Sequence, residues 1–133
     1  MKYLLDTNIC IYFLNGDHAI AERIRAVGAD ALCITGPVLS ELFFGAYNSA
    51  RPRENIERVK QFSRLVDFLS DTPESAAQFG KIKAELRRKG KPVDDIDIFI
   101  AAAALDHGAV LVTNNVSHFS RIGGLAIENW KKR

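Results

Sequence analysis

The apolar positions along the chain change period several times, and the changes mark out alternating strands and helices. Residues 2–5, Lys-Tyr-Leu-Leu, read as a short buried strand that stops at Asp6. Thr7 or Asn8 can cap a helix running to about Asn15, where Asn-Gly breaks it. A second helix, roughly Ala19 to Val27, carries Ile20, Ile24 and Val27 on one face and ends at Gly28. The segment Ala31-Leu-Cys-Ile-Thr35 predicts the next strand, and Pro37 then stands at the first position of a helix, where its missing N–H does no harm. From Ile56 to Leu69 the residues Ile56, Val59, Phe62, Val66 and Leu69 keep the helical period, so this stretch predicts one long amphipathic helix. Asp71-Thr-Pro-Glu has a cap, an early proline and a glutamate at the third position, and it opens a helix that runs to Arg88 and stops at Gly90.

The next helix opens at about Asp94 and Asp95, passes through Phe99-Ile-Ala-Ala-Ala-Ala-Leu and closes at His107-Gly108. Ala109-Val-Leu-Val-Thr113 is almost continuously apolar, as a strand covered on both faces must be. A turn or short helix over Ser117 to Arg121 and the pair Gly123-Gly124 lead to a last strand, Leu125 to Ile127. Strands separated by helices require right-handed crossovers and a parallel sheet. The expected fold class is therefore α/β, a three-layer α/β/α sandwich with a mostly parallel central sheet, formed by one domain over residues 1–133.

Composition narrows the class without changing this picture. With 47% hydrophobic and 26% charged residues, the chain is neither disordered nor collagen-like. Its longest apolar run, around Ile98 to Leu105, is far short of the roughly 20 residues that span a bilayer, and Asp6 interrupts the start too early for a signal peptide. The expectation is a cytoplasmic protein with no membrane partner. Cys10 and Cys33 lie in apolar stretches without C-x-x-C spacing, which suits reduced core thiols.

The net charge of +2 conceals an uneven distribution. Between Lys81 and Lys91, six basic residues face Glu85 alone, and between Arg51 and Arg64 five face Glu54 and Glu57. Such runs are the solvated faces of helices or contacts for a phosphate backbone.

Ligands of an open parallel sheet bind beyond the carboxyl ends of its strands, where the strand order reverses. That rule selects Asp6, Glu41, Thr113, Asn114 and Asn115, with Asp97 joining from the first turn of its helix. On spacing alone each carboxylate has an ordinary alternative: Asp6 as a helix cap, Glu41 as a surface glutamate, and Asp94, Asp95 and Asp97 as capping or solvated residues at a helix N-terminus. Three converging carboxylates would repel one another and resist ionisation, and a divalent cation relieves this. Oxygen ligands suit Mg²⁺ and Mn²⁺, and no soft-ligand set for zinc is present. Metal-assisted phosphodiester hydrolysis is the leading chemistry. The glycines form neither a P-loop nor G-x-G-x-x-G, there is no G-x-S-x-G elbow, and His18, His107 and His118 share no obvious site.

These residues fall into motifs. Leu5-Asp6-Thr7-Asn8 stands at the start, followed by Ser40-Glu41-Leu42 with Gly45-Ala46. Gly90-Lys-Pro-Val-Asp-Asp-Ile-Asp97-Ile-Phe-Ile-Ala-Ala comes later, and Leu111-Val-Thr113-Asn-Asn115-Val-Ser-His118-Phe119 and Ile127-Glu-Asn-Trp130 complete the set. In this order and spacing the chain resembles the PIN-domain ribonucleases, in particular the VapC-type toxins of toxin–antitoxin pairs, over essentially its whole length.

The resemblance implies a Mg²⁺- or Mn²⁺-dependent endoribonuclease in which Asp6 and Asp97 are the principal metal ligands and water activated by the metal attacks the phosphodiester. Glu41 would support the metal, directly or through water, and Thr113 would position a water or a ligand. Asn8, Asn115 and His118 would lie in the surrounding shell or against substrate. The resemblance further implies an RNA substrate cut in a single-stranded loop, a cognate VapB-like antitoxin and a homodimer, with Phe43, Phe44 and Tyr47 available to the antitoxin groove, to the core or to a dimer contact. One departure stands out: many PIN domains place a fourth acidic residue after the late strand, whereas no Asp or Glu occurs from Thr113 to Phe119. A firm first metal, with a second arriving with RNA, fits that loss. Two other readings use the same residues, a catalytically weak or inactive PIN-fold binding module and a PIN nuclease that is not a toxin. A phosphoacceptor receiver domain lacks its acidic pair here.

Overall fold

The computed structural model describes residues 1–131. In chain order its elements are β1 (Tyr3–Leu5), α1 (Thr7–Leu14), α2 (His18–Val27), β2 (Leu32–Thr35), α3 (Gly36–Tyr47), α4 (Pro52–Leu65), β3 (Asp67–Leu69), α5 (Pro73–Arg88), α6 (Asp95–His107), β4 (Val110–Val112), α7 (Val116–Phe119) and β5 (Ile127–Glu128). The five strands form one parallel sheet in the order β3-β2-β1-β4-β5. Right-handed crossovers place α1 to α4 on one face and α5 and α6 on the other. The packing agrees, since α1 meets α2 and α3, α3 meets α4, and α5 meets α6. The expected α/β/α sandwich is what the chain forms.

The central strands are short but apolar on both faces. Leu4, Leu5, Leu32, Cys33, Ile34, Leu111 and Val112 are all 2% exposed or less, which a strand between two helical layers requires. Helix α6 closes one layer with an unusual surface: Ile98, Ile100 and Ala101 to Ala104 are all buried. Four consecutive alanines let the helix backbone approach its neighbours closely from every side, and Gly108 at φ +63° then turns the chain into β4. The C-terminal segment is fixed by side chains. Trp130 packs on Tyr3 with ring centroids 5.4 Å apart, and its Nε1 donates to Glu128 Oε1 at 2.9 Å. Arg23 lies over the same indole and donates to Glu128 Oε1 at 2.8 Å, while Lys131 pairs with Asp17.

The sequence reading and the structure differ most after α4. The single helix expected from Ile56 to Leu69 ends at Leu65, and Asp67–Leu69 form an edge strand on β2, with Cys33 opposite Asp67 and Ile34 opposite Phe68. Three residues are too few to display an alternating period, and Val66 and Leu69 continue the helical phase by coincidence. Lys2 fixes this edge by donating to Asp67 Oδ2 at 2.6 Å and to the Asp30 carbonyl at 3.0 Å. Smaller shifts follow from capping chemistry. Thr72, not Asp71, caps α5 in a reciprocal pair with Ser75; Pro37 is the second residue of α3; and the last strand is Ile127–Glu128 instead of Leu125 to Ile127. Cys10 and Cys33 are buried and unpaired, as expected, and burial pushes the Cys33 thiol up to about 11. Among the described residues no helix is long and apolar enough to cross a membrane.

Because Ala102 is buried within α6, Ala102→Leu is expected to destabilise the protein by about 1–3 kcal/mol through overpacking. Urea unfolding followed by circular dichroism checks this, and an unchanged midpoint would show that α6 has slack against its neighbours.

Candidate active site

The strand order places the reversal between β1 and β4, whose next neighbours were laid down in opposite directions. In the β1–β4 register Leu5 lies opposite Val112, so the residues that follow, Asp6 and Thr113, leave the sheet side by side. The backbone confirms the alignment: Asp6 N–H donates to Val112 C=O at 3.1 Å, and Thr113 N–H donates to Glu128 C=O at 3.0 Å.

Asp6 performs two tasks that looked like alternatives in the sequence. Its Oδ1 accepts the Ile9 N–H at 2.9 Å and so caps α1, while its Oδ2 accepts the Thr113 hydroxyl. Thr113 Oγ1 in turn accepts the Asn115 N–H at 2.9 Å. Thr113 is fully buried and Asp6 is 5% exposed. Burial pushes the Asp6 carboxyl above its ordinary range; the hydrogen bonds from Thr113 and from the Ile9 and Asn8 amides oppose this, and the Asp97 charge adds to it. The Asn8 side chain itself is exposed, as is Asn115, so each contributes to this site through its backbone.

Asp97 enters from the first turn of α6. Its carboxyl is also raised, first by burial and then by Asp94 and Glu41, with the His118 imidazole opposing. His118 Nε2 stands 3.2 Å from Asp97 Oδ2, so one of the three histidines does share a site with the acids. Asp95 points elsewhere and pairs with Lys83 at 2.9 Å. Asp94 occupies the cap position without a side-chain capping bond. Glu41 is held from the other side, where Thr7 Oγ1 donates to its Oε1 at 2.6 Å.

Thr7 is a positioning residue that sequence reasoning passed over, treating it only as a possible cap. The signal was its place between Asp6 and Asn8, but its partner lies 34 residues away. Thr35 also went unnoticed in the sequence: it ends β2 in line with Asp6 and Thr113, and its buried hydroxyl has no hydrogen-bond partner. Beside Glu41 an open groove of about 220 Å³ runs between α1, α3 and α4, lined by Ile11, Leu14, Leu42, Gly45, Arg58 and Val59 among others. The aromatic residues expected there lie off it, since Phe43 packs against the core and Phe44 and Tyr47 are exposed.

The donor set can be tested against a divalent cation. Asp6 and Asp97 feel each other's charge, as do Asp97 and Glu41, and the His118 Nε2 is buried without a hydrogen-bond partner. Among the described residues no three His, Cys, Asp or Glu side chains converge closely enough to enclose an ion by themselves. Such a set fits a divalent ion that keeps much of its water and binds through one or two carboxylates.

Comparison with known proteins gives a consistent result. The family model for the PIN domain matches residues 3–125. A ribonuclease VapC2 of Haemophilus influenzae is 40% identical over 131 residues, covering 98% of each chain. A tRNA(fMet)-specific endonuclease VapC of Shigella flexneri is 37% identical over 130 residues, again covering 98% of each. The toxin chain in a crystal structure of DNA-bound VapBC from Salmonella typhimurium superposes with a TM-score of 0.92 at 39% identity, covering 98% of this chain and 99% of that one.

The raised Asp6 carboxyl makes a stability prediction with a definite sign. The folded protein holds that proton more tightly than the unfolded chain, so the associated stability is fully present below the ordinary value of 3.8 and is lost as pH rises through the folded value. In metal-free buffer at pH 7, Asp6→Asn is expected to raise the urea midpoint, because asparagine caps a helix as well as aspartate and carries no buried charge. The advantage should shrink as pH falls toward 3.8; a variant less stable than wild type at pH 7 would contradict it.

Proposed function

The chain belongs to the PIN-domain family, among the VapC ribonucleases, and we propose that it is a divalent-metal-dependent endoribonuclease, the toxin of a toxin–antitoxin pair. The observation that carries this reading is the placement of two carboxyls, Asp6 and Asp97, whose ionised forms are disfavoured by burial and by neighbouring acids, at the mouth of the sheet. Acids whose charged forms are disfavoured in this way are stabilised when a cation is present and costly when it is absent.

Asp6 and Asp97 would hold Mg²⁺ or Mn²⁺, with Glu41 contributing directly or through water. When bound, such an ion lowers the pKa of water and neutralises charge on a phosphate. The protein's own residues supply the orientation. Thr113 fixes the Asp6 carboxylate by a buried hydrogen bond, and Asn115 N–H fixes the Thr113 hydroxyl in turn. Thr7 occupies one lone pair of Glu41 Oε1 and leaves Oε2 free to accept a proton from an attacking water. Exposed basic side chains on α4, among them Arg58 at the rim of the groove beside Glu41, suit a phosphate backbone. Lys83 is less available, because Asp95 already holds it.

An antitoxin of the VapB kind would occupy the groove beside Glu41, whose lining of Ile11, Leu14, Leu42 and Val59 suits apolar side chains and whose rim carries Arg58. Resemblance to the VapBC complex supports such a partner. The exposed Phe44 and Tyr47 on α3 suit a homodimer contact.

Purified protein is expected to cut RNA when Mg²⁺ or Mn²⁺ is added and to stop with EDTA. Asp97→Asn should lower the rate by about a hundredfold or more with an unchanged circular dichroism spectrum. Equal cutting by Asp97→Asn across a metal titration would reject the site, and a folded wild type that binds antitoxin but cuts no RNA would favour a binding module. Thr7→Val, which frees Glu41, should reduce kcat about tenfold while leaving metal affinity within about twofold, measured by single-turnover cleavage and calorimetry. An unchanged kcat would show that the Thr7 hydroxyl does not orient Glu41 usefully.

A further inference from the structure

The feature that the acidic reading leaves unexplained is His118. Its ring is held edge-on against Phe119, with centroids 5.9 Å apart and planes at 83°, and its side chain is 23% exposed. The Nε2 atom itself is buried, lies within ion-pair distance of Asp97 Oδ2 at 3.2 Å, and has no hydrogen-bond partner. A buried ring nitrogen without a hydrogen-bond partner is costly. That penalty disappears when a cation lies between it and the Asp97 carboxylate. Metal bonds of about 2.0–2.2 Å put neighbouring ligands of an octahedral ion about 3 Å apart, close to the separation seen here.

Resting on the proposal that the acids at the mouth of the sheet hold a divalent cation, we infer that His118 Nε2 is a direct ligand of that ion beside Asp97, with Asp6 reaching it through water, and that the site consequently prefers a first-row transition ion such as Mn²⁺ over Mg²⁺. The reason is the donor. Mg²⁺ takes oxygen almost exclusively and sheds water reluctantly, whereas imidazole nitrogen is a good ligand for the transition ions. In the region where an acidic fourth group would add a third or fourth negative charge, this chain offers a neutral nitrogen. The ion is then held with less net charge and more covalency, and the choice of metal moves with it. Thr113 and Asp6 keep their hydrogen bond in this arrangement, so His118 adds to the set without displacing the buried pair.

The test uses MnCl2 and MgCl2 with the full chain and no RNA. Pulsed electron paramagnetic resonance of bound Mn²⁺ should show coupling to a ring nitrogen in wild type, and the coupling should vanish in His118→Gln. Calorimetry should show the Mn²⁺ to Mg²⁺ affinity ratio falling about tenfold or more in His118→Gln, with His118→Glu moving it further toward Mg²⁺. Circular dichroism of the two variants establishes that each is folded. If Mn²⁺ binds wild type and is lost in Asp97→Asn, but no nitrogen coupling appears and the ratio is unchanged in His118→Gln, the ligand role of His118 is overturned while the acidic site stands. If Mn²⁺ does not bind wild type at all, both are overturned.

Discussion

A single buried hydrogen bond, from the Thr113 hydroxyl to the Asp6 carboxylate, joins the two strands between which the sheet changes direction. Much of the site is arranged around it. The bond exists because β1 and β4 pair in a register that brings the residues after Leu5 and Val112 together, and it persists because both partners are out of water. The same carboxylate caps α1 and thereby sets the direction in which Thr7 leaves the strand, and Thr7 is what holds Glu41. One acidic side chain therefore orients strand, helix and neighbouring acid together. Its cost is a negative charge in a place that disfavours it, which three hydrogen-bond donors offset only in part.

What the sequence disclosed and what it concealed divide along physical lines. Asp6 was legible because a charged residue ending an apolar run has few places to go, and Asp97 because it stands in the first turn of a helix otherwise apolar. The parallel sheet followed from strands spaced by helices. Strand β3 was hidden because an edge strand of three residues, with Asp67 and Phe68 exposed, carries no period of its own. Thr7 and Glu41, or His118 and Asp97, could not be paired from spacing, since tertiary packing alone decides which distant side chains meet. Phe43, Phe44 and Tyr47 stayed open between groove, core and dimer contact for a related reason: which way the helix turns them, Phe43 to the core and Phe44 and Tyr47 to solvent, is decided by tertiary packing.

The faint net charge resolves into two opposed regions. Acids gather at the carboxyl ends of the strands, and basic side chains lie along the exposed faces of α4 and α5. For a polyanionic substrate this is a workable arrangement, because the helices attract the backbone while the acids stay available to a cation. Part of the basic surface is already committed within the fold, as Lys83 to Asp95 and Lys2 to Asp67 show.

The alignment of β4 has a consequence for how such a chain is made. Thr113 meets Asp6 across 107 residues of sequence, and β4 is a central strand flanked by β1 and β5. During synthesis the N-terminal strands and helices emerge first, yet the buried bond between Asp6 and Thr113 cannot form until the segment beyond residue 112 has left the ribosome. A nascent chain is therefore without an assembled centre until that segment has emerged. For a ribonuclease of this family, the topology withholds the assembled centre while β4 is still being made.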